Sequence, residues 1–305
     1  MQGNFGNRHS SFFGLLNVAK YKYTRSADAA RASFAIRALL EELRDETTIP
    51  TVSRCFPYST LYPWPSLAGA RMMNNQVTFN KCGNKNACPH CARVHGARMR
   101  KKFCSEFEYL VGEGYVPYWQ TLELGYTPES SSIERTKLIN SIWRQIQQTH
   151  RYRSLLSKHG LLNLRVTEFT YRDDSWTPHF HIVWMFKPGT DNSEAEAFLD
   201  EVSSLWRGFQ NKNPLCAVNG GYVYSGPLDP DSSNPLGFYL FKAFYLKMDN
   251  GLVAKSDLPS SPFQSLVYWS LTGDMEHLRR WKDYEKTSSN LRRFKFSSAW
   301  NDLLP

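Results

Sequence analysis

The chain of 305 residues is long enough to bury a sizeable hydrophobic core, in one large domain or two small ones. Its hydrophobic share of 41% and aromatic share of 14% exclude a disordered protein. No apolar run approaches the length of a membrane span, and residues 1–4 lack the pattern of a signal peptide, so we expect a soluble, cytoplasmic protein without a membrane partner. The net charge of +9 favours an anionic partner, and nucleic acid is the first candidate.

Residues 1–75 are predicted to contain an irregular arm, one helix and an extended connection. Residues 1–25 show no hydrophobic periodicity. Ser26 can cap a helix that runs to Glu46, because apolar side chains recur there at helical spacing. The segment 50–65 is rich in Pro, Tyr and Ser, and we interpret it as packed coil. The role of this first segment stays open.

The next segment, residues 76–112, contains three closely spaced cysteines followed by a histidine. The spacing C-x5-C-x2-C-x3-H is formed by Cys82, Cys88, Cys91 and His95. Cysteines this close in a chain without an export signal indicate metal binding, because a tight CPxC turn aims two thiolates at one point. We therefore predict a structural zinc site with His95 as the fourth ligand. Cys104, Cys55 and His90 are alternatives for that fourth place.

The helix that follows these cysteines is predicted to extend to about Val111 and to be strongly basic. Its cationic side chains are Arg93, Arg98, Arg100, Lys101 and Lys102. Cations this dense beside a zinc knuckle suit contacts with the phosphates of DNA. A solvated basic face is the alternative interpretation of the same pattern.

Residues 113–250 are predicted to form the α+β core of the protein, and residues 251–305 a helical C-terminal extension. The predicted core elements are a strand at 116–125, a helix from Ser131 or Ser132 to His150, a hairpin at 164–186, a helix at 193–207, a strand at 221–225 and a helix at 236–247. The order β-α-β-β-α-β is that of a ferredoxin-like fold. Such a fold is an antiparallel sheet backed by helices on one face.

The hairpin contains the most distinctive stretch of the chain, residues 176–186. Read as a strand with period two, it places His179 and His181 on one face and Phe180 with its apolar neighbours on the other. The preceding strand would bring Glu168 alongside the two histidines. Two imidazoles and a carboxylate on rigid strands suit a divalent metal. The alternative is a set of ordinary polar residues on a half-buried sheet.

Together these motifs resemble the HUH endonucleases, specifically plasmid-type rolling-circle replication initiators. The matching pieces, over roughly residues 80–300, are the CPxC knuckle with its basic helix, the strand 118–124, the residues 168–171 leading to Pro178-His179-Phe180-His181, a Tyr-x-x-Lys helix containing Tyr239 and Lys242, and the C-terminal pattern at 278–285 and 292–297. The resemblance implies the HUH endonuclease fold. It also implies an enzyme that nicks one DNA strand and becomes linked through a tyrosine to the 5′ phosphate.

Roles for individual residues follow from this resemblance. It implies that Glu168, His179 and His181 bind the catalytic ion, Mg²⁺ or Mn²⁺, because this ligand set leaves coordination positions open for phosphate oxygens. It implies that Tyr239 is the nucleophile and that Lys242 supports the phosphate or the tyrosine.

Three positions complicate the match with the family. Tyr245 is the rival nucleophile in a shifted register. Ala243 follows Lys242 where relatives commonly carry a second acidic or tyrosine residue, so a two-tyrosine mechanism is not supported. Thr177 stands where many relatives have a further histidine, and this departure is harmless if that residue is not a ligand.

The resemblance implies single-stranded or cruciform origin DNA of a plasmid or phage as the partner. The chain has no G-x-x-x-x-G-K phosphate loop, so unwinding is expected to come from a host helicase. Monomer and dimer are both open. A transposase or relaxase with the same chemistry is a near neighbour of this interpretation. The alternative from a different class is a non-catalytic, zinc-containing nucleic-acid-binding protein.

Overall fold

The computed structural model describes residues 43, 46–49, 52, 55, 70–73, 76–79, 82–159, 161–241 and 261–302. Most of the predicted helix from Ser26 and of the coil at 50–65 lies outside these residues. The chain divides into two compact units. The first contains the described residues of Met1–Ala97 and Ala243–Ser289, and the second those of Arg98–Lys242 and Asn290–Pro305.

The helices and strands follow in chain order. The strands are β1 Ala70–Met73, β2 Gln76–Phe79, β3 Val116–Tyr126, β4 Leu162–Arg172, β5 Ser175–Phe186, β6 Cys216–Pro227 and β7 Phe294–Phe296. The helices with complete bounds are α1 Pro89–Gly112, α2 Ser132–Gln148, α3 His150–His159, α4 Asn192–Asn211, α5 Ser233–Phe241, α6 Pro262–Thr272, α7 Met275–Ser288 and α8 Ser298–Asp302. The strand predicted at 221–225 is longer than expected, since β6 begins at Cys216. The long helix predicted from Ser131 or Ser132 to His150 ends at Gln148, and α3 follows it.

The second unit contains a five-stranded antiparallel sheet in the order β6-β3-β5-β4-β7. Its elements follow the predicted β-α-β-β-α-β succession, with α3 added after α2 and β7 added at one edge. The predicted α+β class and the antiparallel sheet are therefore confirmed.

One face of the sheet packs against the amphipathic helices α2 and α4. Ser131 caps α2 in a capping box with Glu134, which satisfies backbone N–H groups of the first turn. Ile142 of α2 and Trp206 of α4 belong to the same buried cluster as Phe180 and the other apolar residues of β5 on that face. The predicted core face of β5 is thus confirmed.

The opposite face of the sheet is also covered, which corrects the prediction of helices on one face only. Val183 and Met185 point to the histidine-bearing side of β5, and both are fully buried. On that side, the ring of Tyr239 in α5 contacts the rings of Trp119 and His181. The helix α5, which carries Tyr239, therefore lies over the face that carries the histidines.

The first unit contains the hairpin β1–β2. It also contains a buried carboxylate, that of Glu285, which joins α7 to residues 47–48. Glu285 of α7 is fully buried and accepts hydrogen bonds from the Thr47 hydroxyl and from the Thr48 N–H at 2.9 Å and hydroxyl at 2.8 Å. The neighbouring Tyr284 hydroxyl donates to the carbonyl of Asn86 at 3.2 Å. The Glu285 bonds hold α7 against residues 47–48, and the Tyr284 bond holds it against the loop between Cys82 and Cys88.

Candidate metal sites

Four cysteines of the first unit converge on one point. They are Cys55, Cys82, Cys88 and Cys91. Cys88 and Cys91 are brought together by the turn at the start of α1, where their spacing of three residues places both sulfurs on one side. Cys55 comes from a segment 27 residues before Cys82. Three of the four thiols are buried, and the Cys82 thiol is half-buried.

The spacing of the sulfurs suits one tetrahedral ion. The Cys55–Cys88, Cys82–Cys91 and Cys55–Cys91 sulfur pairs are 3.5, 3.6 and 3.7 Å apart. Sulfurs bound to one tetrahedral ion at about 2.3 Å would lie roughly 3.8 Å apart, so only a small expansion is needed. Hydrogen bonds from the Cys55 and Cys82 thiols lower the pKa of Cys91, whereas hydrogen bonding with Cys55 raises the pKa of Cys82 and of Cys88, so Cys91 becomes a thiolate before those two.

Backbone N–H groups support the same cluster from outside. The N–H of Cys82 points at the sulfur of Cys55 at 3.4 Å, and that of Asn84 at the sulfur of Cys82 at 3.4 Å. The N–H of Cys91 donates to the sulfur of Cys88 at 3.5 Å. Such N–H···S bonds stabilise thiolate charge and orient the ligands. The cluster therefore has the donors and surroundings of a structural metal site.

The fourth member of the predicted cysteine site is corrected from His95 to Cys55, one of the alternatives. His95 lies one turn beyond Cys91 on α1 but is not in the group, and neither is His90. Cys104 lies in the second unit, where its thiol donates to the carbonyl of Ser233 at 3.3 Å. Cys55 lies 27 residues before Cys82, so sequence spacing alone could not select it as the fourth ligand. The folding of the chain brings it to the other three cysteines.

The residues of the second candidate site and their supports lie on three adjacent strands, β3, β5 and β4. Asp173 and Asp174 have positive φ angles of 49° and 54° and form the two-residue turn between β4 and β5. Asp tolerates this conformation, and two such residues make a tight hairpin turn. The resulting register sets Glu168 opposite His179, and β3 sets Thr121 opposite His181. A register slip of one residue would move Glu168 to the core face.

The predicted grouping of Glu168 with the two histidines is confirmed. The Nε2 atoms of His179 and His181 are 3.2 Å apart, and a carboxylate oxygen of Glu168 lies 2.8 Å from Nε2 of His181 and 3.6 Å from that of His179. Nitrogen or oxygen ligands at about 2.0–2.2 Å from one ion would be roughly 3.0–3.4 Å apart. The three atoms therefore fit one ion after shifts of a few tenths of an ångström.

Threonine hydroxyls lie beside the Nδ1 atoms of both histidines, on the side of each ring away from the Nε2 atoms that would bind the ion. The Thr121 hydroxyl is 3.1 Å from Nδ1 of His181, and the Thr170 hydroxyl is 3.4 Å from Nδ1 of His179. A hydroxyl oxygen that accepts the Nδ1–H bond leaves the lone pair on Nε2, where a metal binds. Thr121 also accepts a hydrogen bond from the Trp119 indole at 2.8 Å. Neither threonine was predicted, although the period-two spacing of Thr121 with Trp119 on β3 and of Thr170 with Glu168 on β4 was available as a signal.

Tyr239 lies directly beside this group. Its ring centroid is 5.4 Å from that of His181 and 5.5 Å from that of Trp119, in edge-to-face contacts. The residue is 44% exposed, so solvent reaches it. The structure thus brings Tyr239 together with the predicted metal ligands. Lys242 and Tyr245, with Ala243, lie outside the described residues.

The five basic residues of α1 do not form one continuous exposed face. Arg98 and Lys101 are exposed, whereas Arg93, Arg100 and Lys102 are half-buried. Lys102 pairs with Glu106, and its ammonium group lies 5.2 Å from the Phe296 ring centre. Their contact with DNA phosphates stays a prediction, and Arg98 and Lys101 are its most accessible members.

Comparisons of the chain with known protein families, with curated proteins and with solved structures found no match. Within the part of the chain that the structure describes, no helix has the length and apolar character required to cross a membrane. The two candidate metal sites and Tyr239 are therefore the features that indicate a function.

Proposed function

We propose that this protein is a metal-dependent, site-specific single-strand DNA endonuclease and strand transferase of the HUH type. It would initiate rolling-circle replication of a plasmid or phage. The observation that carries the proposal is the exposed Tyr239 in ring contact with His181, beside Glu168 and His179. A nucleophilic hydroxyl next to a candidate site for a divalent ion is the arrangement that phosphodiester transfer requires.

The proposed reaction exchanges one phosphodiester bond for another. The phenolic oxygen of Tyr239 attacks the phosphorus, a Tyr–O–P bond to the 5′ side forms, and the bond to the 3′ oxygen breaks. The phenolic proton is lost, and the departing 3′ oxygen gains a proton. A later attack by a 3′ hydroxyl reverses these steps and rejoins a strand, because the linkage conserves the bond energy. A Mg²⁺ or Mn²⁺ ion bound by Glu168 and the two histidines would polarise the phosphate.

The surrounding residues would position the reactants. Edge-to-face contacts with Trp119 and His181 restrict the Tyr239 ring, which lowers the entropy lost on reaching an in-line geometry. Lys242 follows α5 in the chain and is proposed, from the resemblance, to support the phosphate or the tyrosine. The four-cysteine group is proposed to hold structural Zn²⁺, since it offers four sulfur donors and no open position.

The architecture supports the same proposal. The spatial order β6-β3-β5-β4 with the connections described above is compatible with the ferredoxin-like core of the HUH endonuclease fold. The net charge of +9 suits a DNA substrate. Single-stranded or cruciform origin DNA and a host helicase are the proposed partners.

A second candidate function, non-catalytic binding of nucleic acid through a zinc-containing domain, is favoured by one observation. The four-cysteine group is complete without any residue of the Glu/His group, so zinc could stabilise a binding protein that performs no chemistry. The two proposals differ in whether the protein becomes covalently attached to DNA.

The test is incubation with single-stranded oligonucleotides from the parent replicon, with and without Mn²⁺, followed by denaturing gels. Wild type should form a metal-dependent adduct that Tyr239→Phe and His181→Ala both abolish. Tyr109→Phe is the matched control, because Tyr109 is a tyrosine of similar exposure (48%) on α1. Loss of the adduct in Tyr245→Phe instead would keep the chemistry and reassign the nucleophile. No adduct with any strand or metal would leave the binding function in first place.

A further inference from the structure

The edge strand β6 presents two tyrosines to solvent beside the Glu/His group. Tyr222 is 54% exposed and Tyr224 is 52% exposed. They are two residues apart on one strand, so their side chains point to the same face. Exposing two aromatic rings side by side leaves a large apolar surface in water, and such surfaces commonly mark binding sites.

An irregularity in β6 decides which face these tyrosines occupy. Between the pairs Tyr126–Cys216 and Leu124–Gly221, β3 advances by two residues whereas β6 advances by five. The three extra residues are an odd number, so they exchange the two faces of the strand beyond them. Gly221 follows the irregularity with φ of 85°, a conformation that favours glycine. Without the insertion, Tyr222 and Tyr224 would point into the core face.

With the insertion, both tyrosines share the face of the candidate catalytic site. Tyr222 is opposite Glu123, which is in turn opposite His179. Tyr224 is opposite Thr121, which is in turn opposite His181. The intervening Val223 packs against the core cluster on the other face, which agrees with this assignment.

The rings next to these tyrosines extend the aromatic surface toward the site. A Cβ added at Gly226 would lie 3.2 Å from the Tyr224 hydroxyl, so the Tyr224 ring lies alongside this glycine. Gly226 is paired with Trp119, whose ring contacts both His181 and Tyr239. Aromatic side chains therefore run across the sheet from the β6 edge to the candidate nucleophile.

We infer that Tyr222 and Tyr224 form a stacking platform that holds unpaired nucleotides of the DNA strand against this face. This inference rests on the proposed function and adds the surface that presents the strand to the site. Side chains two residues apart on a strand are separated by about 6.7 Å, roughly twice the 3.4 Å rise of stacked bases. Two rings at this spacing suit bases that are drawn apart, as in single-stranded DNA bound without sequence preference.

The charge around the platform agrees with a DNA strand as its occupant. Glu123 is the acidic neighbour of Tyr222, and its carboxylate is paired with the Arg172 guanidinium at 2.8 Å. The Arg172 side chain is 56% exposed and lies on the same face as Glu168, because the two residues are an even number of positions apart on β4. A phosphate chain near this face therefore meets an acidic side chain whose charge is balanced by Arg172, in a protein with a net charge of +9.

The test measures oligonucleotide affinity in the Tyr239→Phe background, where covalent attachment through Tyr239 is absent. Fluorescently labelled dT oligomers of about ten nucleotides are titrated at about 0.1 M salt and followed by anisotropy. Tyr222→Ala and Tyr224→Ala should each weaken binding about five-fold or more, because one stacking contact is lost. Phenylalanine at either position should keep affinity within about two-fold, since the ring remains. The salt dependence of binding should stay unchanged, because no phosphate contact is removed.

Controls separate the platform from general effects. Tyr109→Ala should bind the oligonucleotide with the affinity of the parent. The affinity for duplex DNA should be unchanged in Tyr222→Ala and Tyr224→Ala. Threonine variants at 222 and 224 preserve strand propensity and should repeat the alanine result. The inference would be overturned if the alanine and threonine variants kept the affinity of the parent, or if the phenylalanine variants lost as much affinity as the alanine variants. A preference for oligo(U) over oligo(dT) would also overturn it. A normal metal-dependent adduct in wild type, together with unchanged affinity in the β6 variants, would contradict only the platform. Weakened affinity in the β6 variants, with no adduct in wild type, would contradict only the proposed chemistry.

Discussion

Replacing Thr121 by valine should weaken divalent metal binding at the Glu/His group without removing a ligand. Valine preserves the shape of the threonine side chain and deletes its hydroxyl. That hydroxyl is 3.1 Å from Nδ1 of His181 and 2.8 Å from Nε1 of Trp119, and Thr121 is 8% exposed. The variant therefore removes the hydroxyl beside Nδ1 of His181, so the imidazole can carry its proton on Nε2, where it would block the metal.

The two lost hydrogen bonds have separable costs. Losing the partner of a metal-binding histidine typically weakens metal affinity by about 10- to 100-fold, which corresponds to roughly 1.4–2.7 kcal/mol. Losing the acceptor for the Trp119 indole affects the free and metal-bound protein alike. It should appear as a decrease of about 1–3 kcal/mol in the free energy of unfolding. Metal affinity and protein stability thus report different parts of the same substitution.

Calorimetric titration with Mn²⁺ in the absence of DNA measures the affinity directly, with Zn²⁺ already bound at the cysteine group so that only one site is titrated. Thr121→Ser retains a hydroxyl and should restore affinity to within a few-fold. Thr170→Val is the matched comparison: its hydroxyl is 3.4 Å from Nδ1 of His179, so a smaller loss is expected. Equal Mn²⁺ affinity in wild type and Thr121→Val, with both folded, would refute the reasoning.

Three further predictions concern the rest of the chain. Cys55→Ser should lose one equivalent of bound Zn²⁺ by elemental analysis whereas Cys104→Ser retains it, and identical metal contents would exclude the four-cysteine site. Glu285→Ala should lower the free energy of unfolding by about 2–4 kcal/mol in chemical denaturation, because two threonine hydroxyls and a backbone N–H lose a buried charged acceptor; a loss below about 0.5 kcal/mol would contradict this. Gly221→Ala should lower the melting temperature by several degrees, because its Cβ would lie 2.5 Å from the carbonyl oxygen of Glu123 at a positive φ; an unchanged melting temperature would show that the irregularity tolerates a side chain.

Local patterns predicted the parts of both sites that lie within one element or one turn. The period of two in β5 was sufficient to place His179 and His181 together, because successive side chains of a strand alternate between faces. The turn after β4 was sufficient to bring Glu168 beside them. Cys88 and Cys91 were recognised for the same reason, since a short turn fixes their relative direction.

The remaining features depend on elements that are far apart in the chain. Cys55 joins the other cysteines through the packing of the first unit, and no spacing rule distinguished it from His95. The predicted fold described helices on one face of the sheet, whereas α5 also places Tyr239 on the histidine-bearing face. The direction of Tyr222 and Tyr224 was also not predictable, since it depends on three extra residues in β6.

The sequence by itself therefore determined the strand, the turn and the chemistry of each local motif, because backbone geometry repeats over a few residues. Only the tertiary structure decided that Cys55 completes the cysteine group, that the Tyr239 ring contacts the His181 ring, and that Tyr222 and Tyr224 of β6 lie on the face of the Glu/His group. The physical reason is that side-chain direction within an element follows from its period. Which elements meet follows instead from the burial of the whole core and from the register that one irregular strand imposes.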